Sequence, residues 1–294
     1  METYEKWLKA FRLKMALFAI LLVLSSFVLE NETIDAYVWL IALVVTLGTI
    51  NTMLTNDYVG REHDKLKGKN FASENEYIFL PIIVILWAII VMLSFVVMFY
   101  SRYQGSILLV CAYLGITYSF TKKFSMLSAF SVSFASALIT LLPLSKSILS
   151  VVLFSSTFLF IFAREIVKDV EDKKIDEIID KKGNVYKKTL PVILKTETAL
   201  ILAGFVLSSG IICSLFLIPF SGKFYVIWIP LLILSVFCFI FYPKKYNIGA
   251  TYLDIGILIM LFSFSFAGIS NVYQECLSYI VYVFGLINYY FTGN

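Results

Sequence analysis

Apolar runs of about twenty residues recur along almost the whole chain, and each is long enough to cross the hydrocarbon core of a bilayer as a helix. In lipid, backbone polar groups must be satisfied within the segment, so a chain built this way folds as a bundle of helices or not at all. Of its 294 residues 60% are hydrophobic and 15% charged. A soluble domain carries nearer a quarter charged, so a soluble fold is excluded. We expect spans over 13–29, 36–55, 77–100, 106–120, 127–144, 148–163, 198–219, 224–242 and 251–269. The tail, 276–291, is apolar enough for a tenth or could lie at the interface. The expected fold is therefore all-α, a single polytopic membrane domain over residues 1–294 with about nine, or ten, transmembrane helices. The first run lacks a small-residue cleavage pattern after it and reads as a retained span, not a signal peptide.

The charges are not spread evenly over this pattern. Counting Lys and Arg on alternate sides puts 21 of the 24 on one side, leaving Arg102, Lys146 and Lys223 on the other. Basic loops stay in the cytoplasm, so that side should be cytoplasmic in the cell membrane. This sidedness accounts for the basic residues, and no nucleic-acid partner is expected. Cys111, Cys213, Cys238 and Cys276 lie in or beside apolar runs without a CxxC pair, and His63 is the only histidine. Neither a zinc site nor a disulfide framework is suggested.

Two acidic clusters fall on the basic side. In 164–176, a helix continuing the sixth span would carry Glu165, Asp169, Asp172 and Asp176 at i, i+4, i+7 and i+11, on one face. Stacked carboxylates repel one another, and a helix that holds divalent cations turns that repulsion to use. A charged helix running out into solvent, with Lys168, Lys173 and Lys174 as neutralisers, would show the same residues. The second span closes on the other cluster, Asn56-Asp57-Tyr58-Val59-Gly60-Arg61-Glu62-His63-Asp64. There Asn56, Gly60 and Asp64 are spaced four apart. Two such helix ends would make a two-sided carboxylate site of the kind magnesium occupies when it also bridges phosphate oxygens.

These residues resemble the motifs of the UbiA superfamily of intramembrane prenyltransferases. The first reads Asn56-Asp57-x-x-Gly60-x-x-x-Asp64 and the second Asp169-x-x-Asp172-x-x-x-Asp176. Tyr118-Ser119 followed by Lys122-Lys123 resembles the family's Y-S…K element, and Lys188-Thr189-Leu190-Pro191-Val192 its R-T-L-P-V segment. The wording around Arg164 is similar to the archaeal branch that includes digeranylgeranylglyceryl phosphate synthase. Two departures stand out. Gly60 takes the place of the middle Asp of the first motif, and Lys67-Gly68-Lys69-Asn70-Phe71 replaces the family's N-x-P-x-R-P stretch.

The resemblance implies transfer of an isoprenyl group, of geranylgeranyl length in the archaeal branch, from its diphosphate to an acceptor, with Mg2+ as cofactor. The favoured acceptor is a glycerol-phosphate lipid such as geranylgeranylglyceryl phosphate, with an aromatic or quinone precursor as the alternative. It also implies that Asn56, Asp57, Asp64, Asp169, Asp172 and Asp176 serve as metal ligands, with Asp57, Asp64, Asp169 and Asp172 the catalytic carboxylates. Lys122, Lys123, Arg164, Lys168, Asn56 and Tyr118 are then expected to contact the diphosphate. Ionising residues at mid-membrane or broken spans would instead indicate a transporter; here the acids gather at span ends. A non-catalytic isoprenoid-binding relative is the remaining alternative, kept open by Gly60. Asp254, near the cytoplasmic start of the ninth span, is either functional or a snorkelling side chain, while Glu32 and Asp35 read as plain solvated charge.

Overall fold

The structure, a computed structural model, describes residues 12–66, 71–121, 125–145, 147–176 and 189–266. The described residues are mostly helical, with no strand among them. The long helices are α1 (Leu13–Leu29), α2 (Ala36–Val59), α3 (Glu76–Tyr100), α4 (Arg102–Thr121), α5 (Ser125–Ile139), α6 (Ile148–Asp176), α7 (Thr196–Ser214), α8 (Tyr225–Phe241) and α9 (Tyr246–Ser265). Seven of the helical segments are long and apolar enough to cross a membrane. The apolar parts of α1 and α5, Lys14–Leu29 and Leu127–Ile139, are shorter. A count of nine spans therefore requires both of these to cross as well, and the expected tenth segment lies outside the described residues.

Two boundaries differ from expectation for local reasons. The fifth helix ends at Ile139 instead of continuing toward 144. Leu142 precedes Pro143, and the proline ring disfavours helical geometry in the residue before it. The seventh span leaves α-geometry at Ser214 and goes on as a 3-10 helix, Leu215–Phe220, which contains Pro219.

Each long helix packs on the next, α1 on α2, then α2 on both α3 and α4, and so on in order to α8 and α9. Helix α9 returns to pack on α1, which closes the ring. Hydroxyls inside the bundle bond back to the carbonyl one turn earlier, as Ser25, Thr55, Ser94 and Ser133 do, which satisfies these polar side chains within their own helices. The seam between α3 and α4 is close: a Cβ on Gly105 would stand 2.6 Å from the Met98 Cα. The outward faces of α3 and α8 are apolar and exposed, with Leu80, Val84, Met92 and Phe95 on one and Val226, Ile233, Leu234 and Phe237 on the other. Such faces suit lipid, and the chain is a multi-pass membrane protein.

The two ends of α1 are anchored differently. At one end Glu30 and Glu32 receive hydrogen bonds from Ser145, Ser147 and Ser150 ahead of and within the first turn of α6. Asp35 caps α2, accepting from the backbone N–H groups of Tyr37 and Val38, both at 3.0 Å. Glu32 and Asp35 are thus structural acceptors rather than plain solvated charge. At the other end of α1 lies the site.

Candidate active site

Inside the ring is a cavity of about 930 Å³. Its walls come from α1, α2, α3, α4, α5, α6 and α9, with Phe71 and Ala72 of the short helix Phe71–Glu74. One end is charged and the rest apolar. The apolar part includes Phe18 and Leu22 of α1, Val44 and Val45 of α2, Trp87 and Ile90 of α3, Leu108 of α4 and Ile139 of α5. At the charged end four basic side chains face seven carboxylates among the described residues. Such an excess of negative charge in a half-enclosed space repels a phosphorylated ligand unless cations intervene.

The first acidic cluster reaches the cavity because α2 runs on past the apolar span to Val59. Gly60 donates its N–H to the Asn56 carbonyl and Asp64 donates to the Gly60 carbonyl, both at 2.9 Å. The one-turn stagger of Asn56, Gly60 and Asp64 is therefore kept across the break before the short helix Arg61–Leu66, and Asn56 and Asp64 both line the cavity. Arg12, just ahead of α1, donates from Nη2 to Asp57 Oδ1 at 2.7 Å and from Nη1 to Met53 Sδ at 3.3 Å. Asn56 is 3% exposed, and its Oδ1 has no hydrogen-bond partner among the described residues. A buried amide oxygen left unpaired beside a cavity is costly and suits a ligand that supplies the missing contact.

The second cluster faces it from α6, one continuous helix over Ile148–Asp176. The side chains of α6 that line the cavity are Ile161, Arg164, Glu165, Lys168, Glu171 and Asp172. This stripe shares Glu165 and Asp172 with the expected acidic face but is rotated from it, so that Asp169 is absent from the lining while Lys168 and Glu171 are present. Lys168 Nζ donates to Glu165, at 3.2 Å, and to the Tyr118 hydroxyl, at 3.0 Å. It also stands 5.7 Å from the centre of the Tyr118 ring. Tyr118 is fully buried and absent from the cavity lining, so it acts on the site through Lys168.

Asp254 of α9 completes the charged end. Its Oδ1 accepts from Arg164 Nε at 3.0 Å and its Oδ2 from Lys14 Nζ at 2.6 Å. Both ion pairs link it to neighbouring helices, which answers the alternative of simple snorkelling. Of the residues expected at the site, Asn56, Asp57, Asp64, Asp172, Arg164 and Lys168 line one cavity. Lys122 and Lys123 lie outside the described residues, as does the side chain of Asp176. The site also contains Arg12, Lys14, Glu171 and Asp254, which no motif marks. The segment Leu190–Leu194, within the R-T-L-P-V-like stretch, packs on α6 and α7 behind the site.

No three of the described acidic side chains converge on one point as a ready-made metal site. Magnesium seldom needs such a cage. It keeps several waters and binds through one or two carboxylates together with phosphate oxygens. Oxygen donors on two walls, among them the unpaired Asn56 Oδ1 and the carboxylates of Asp57, Asp64 and Asp172, fit that mode of binding.

Fold and site together define a membrane helix bundle that holds a charged, mainly acidic mouth over an apolar pocket. The UbiA prenyltransferase family model matches residues 16–264, and the chain belongs to that family of prenyltransferase enzymes. The structure is similar to that of a digeranylgeranylglyceryl phosphate synthase, with a TM-score of 0.64 and 22% identity over 92% of this chain and 100% of the other. It is also similar to a UbiA homolog from Archaeoglobus fulgidus bound to GPP and Mg2+, with a TM-score of 0.63 and 17% identity over 90% of this chain and 99% of the other. No curated protein sequence matches the chain.

Proposed function

We propose that the protein transfers an isoprenyl group, of geranylgeranyl length, from its diphosphate to a lipid acceptor such as geranylgeranylglyceryl phosphate, with Mg2+ as cofactor and the mouth at the cytoplasmic surface. The observation that carries this reading is the joining of both acidic helix ends to one apolar cavity. Val44 and Asp57, both lining it, are thirteen residues apart on α2, which is about 20 Å of helix. That depth suits a long isoprenoid with its diphosphate at the mouth. The likeness to a digeranylgeranylglyceryl phosphate synthase supports the lipid acceptor over an aromatic or quinone precursor.

In the reaction the allylic C–O bond breaks, the diphosphate leaves with growing negative charge, and the acceptor hydroxyl oxygen bonds to the allylic carbon while its proton passes to the released diphosphate or to water. Magnesium, when bound, would supply charge neutralisation at the leaving group, and Asn56, Asp57, Asp64 and Asp172 are the cavity-lining residues that would hold it. Lys168 and Arg164 stabilise the departing diphosphate. Phe18 and Trp87 line the apolar wall, where aromatic side chains shield an allylic cation from water.

The test is direct. Purified protein with magnesium, geranylgeranyl diphosphate and geranylgeranylglyceryl phosphate should release diphosphate, and EDTA should stop it. Asp172→Asn should lower turnover roughly tenfold or more, as expected for losing a group that supports a charge-stabilising centre. Wild-type protein that releases no diphosphate with any of a panel of lipid and aromatic acceptors would establish a non-catalytic isoprenoid-binding role instead.

A further inference from the structure

Asp254 stands apart from both acidic motifs, about 80 residues beyond the second, yet it lies in the same charged mouth. Its side chain is only 18% exposed. It is shared by two cations from two other helices, Lys14 of α1 and Arg164 of α6. A carboxylate with one cation cancels it. A carboxylate shared by two holds both in place without saturating the donors of either.

The geometry of Arg164 shows which of its donors is left over. Asp254 takes the Nε edge of the guanidinium. Nη1 is buried and has no hydrogen-bond partner among the described residues; its ion-pair neighbour Glu171 Oε1 is 3.7 Å away, beyond hydrogen-bond reach. A buried guanidinium N–H without an acceptor, on a residue lining the cavity, is a donor held ready for an anion.

We infer that Asp254 is a positioning residue for the anionic end of the substrate: with Lys14 as its second partner it fixes Arg164 so that Nη1 is offered to the diphosphate. The inference rests on the prenyltransferase reading and extends it to a residue on the last described helix. Pre-aiming the guanidinium removes the ordering cost that a free arginine pays on binding. The lost interaction is one made with the diphosphate before and during bond cleavage, so its removal raises KM for the isoprenyl diphosphate.

The experiment uses the full chain in detergent or nanodiscs. Steady-state kinetics with geranylgeranyl diphosphate are measured for wild type, Asp254→Asn, Asp254→Glu and Lys14→Gln, alongside calorimetry of inorganic diphosphate binding in the presence of magnesium. Asp254→Asn should raise KM, and weaken diphosphate binding, roughly tenfold or more, with a smaller fall in kcat, and Asp254→Glu should restore much of the loss. Lys14→Gln lets Asp254 pair with Arg164 alone, and should raise KM by about threefold, within the range of a charged contact at a partly exposed pair. It also serves if Asp254→Asn does not fold. A residue that merely held three helices together would lower the melting temperature and the active fraction, with KM unchanged in whatever folds, and that result overturns the inference. If wild type binds diphosphate and Asp254→Asn and Lys14→Gln bind it equally well, only this inference falls. If wild type neither binds nor releases diphosphate, the prenyltransferase reading falls with it.

Discussion

Lys168 Nζ donates to the Tyr118 hydroxyl at 3.0 Å, which ties the charged stripe of α6 to the buried core of α4. The tyrosine holds the ammonium from behind, opposite the cavity. Glu165, a second partner of the ammonium, comes from the same helix one turn away. The lysine head is thus fixed by a neighbour of its own helix and by one from across the bundle.

Tyr118→Phe keeps the ring and removes the oxygen. Hydrogen bonds to charged groups contribute about 1.5–3 kcal/mol, and part of this is kept through Glu165 and the ring face. We expect about a tenfold fall in kcat/KM for the isoprenyl diphosphate and little change in melting temperature. Kinetics and thermal unfolding on the same preparation check it. An unchanged kcat/KM would show that the Tyr118 hydroxyl has no part in holding Lys168 for the reaction.

Much of the bundle is legible along the chain, because a run of apolar residues bounded by polar ones is a local signal. The start of α1 and the end of α3 fall where the hydropathy changes. The charged extension of α6 is legible for the same reason, since regular spacing of carboxylates needs only a continuous helix. Which edge of that helix faces inward is not a local property. Glu165 and Asp172 are shared by two overlapping stripes, and packing against α1 and α9 selects the one carrying Lys168 and Glu171 over Asp169. Arg12 carries no signal in the sequence, and Asp254 stays open there between function and snorkelling, for a related reason. Their partners lie 45 residues away in one case, and 90 and 240 in the other, and no spacing rule connects them.

Gly60 can be replaced without backbone strain. It caps α2 with φ −85° and ψ 1°, a conformation open to every L-residue except proline's usual limits on its neighbours, so glycine is not required there. The hydrogen bonds from Gly60 to Asn56 and from Asp64 to Gly60 continue the helical stagger, which puts a side chain at position 60 between two cavity-lining residues. Gly60→Asp should therefore fold, with stability within about 0.5 kcal/mol of wild type. It should lower the magnesium concentration for half-maximal activity several-fold, because it adds a hard oxygen donor beside Asn56 and Asp64. Titrating magnesium against diphosphate release measures this. A higher magnesium requirement in the variant would count against the first motif as a metal wall.

Val44 lies in the apolar part of the cavity wall, thirteen residues from Asp57 along α2. Val44→Trp fills that region. Overpacking should cost about 1–3 kcal/mol in stability, visible as a lower melting temperature. The variant should prefer shorter donors. The ratio of kcat/KM for geranylgeranyl diphosphate to that for geranyl diphosphate should fall roughly tenfold or more, the scale on which an apolar pocket discriminates by size. A ratio that stays constant while both values fall would mean that the isoprenoid runs elsewhere, for instance between helices toward lipid.

At the end of α1 remote from the site, Glu30 is a nearly buried carboxylate that accepts from the Ser147 hydroxyl at 2.8 Å, the Ser147 N–H at 3.1 Å, the Ser150 N–H at 3.1 Å and the Ser150 hydroxyl. It stands at the N-terminus of α6, where the helix dipole favours a negative charge. Glu30→Ala leaves two N–H groups and two hydroxyls without this acceptor and should cost about 2–4 kcal/mol, with Glu30→Gln costing less because one acceptor remains. Helix α6 is joined to both ends of α1, at its own start directly through Glu30 and at its middle through Arg164, Asp254 and Lys14. The loss should nevertheless stay local, because α6 and α1 are rigid elements packed along their length. Thermal unfolding should shift while the magnesium requirement and KM of the folded fraction stay at wild-type values. A raised magnesium requirement in Glu30→Ala would show that the tilt of α6, set at this clamp, controls the spacing of Asp172 from Asp57 across the mouth.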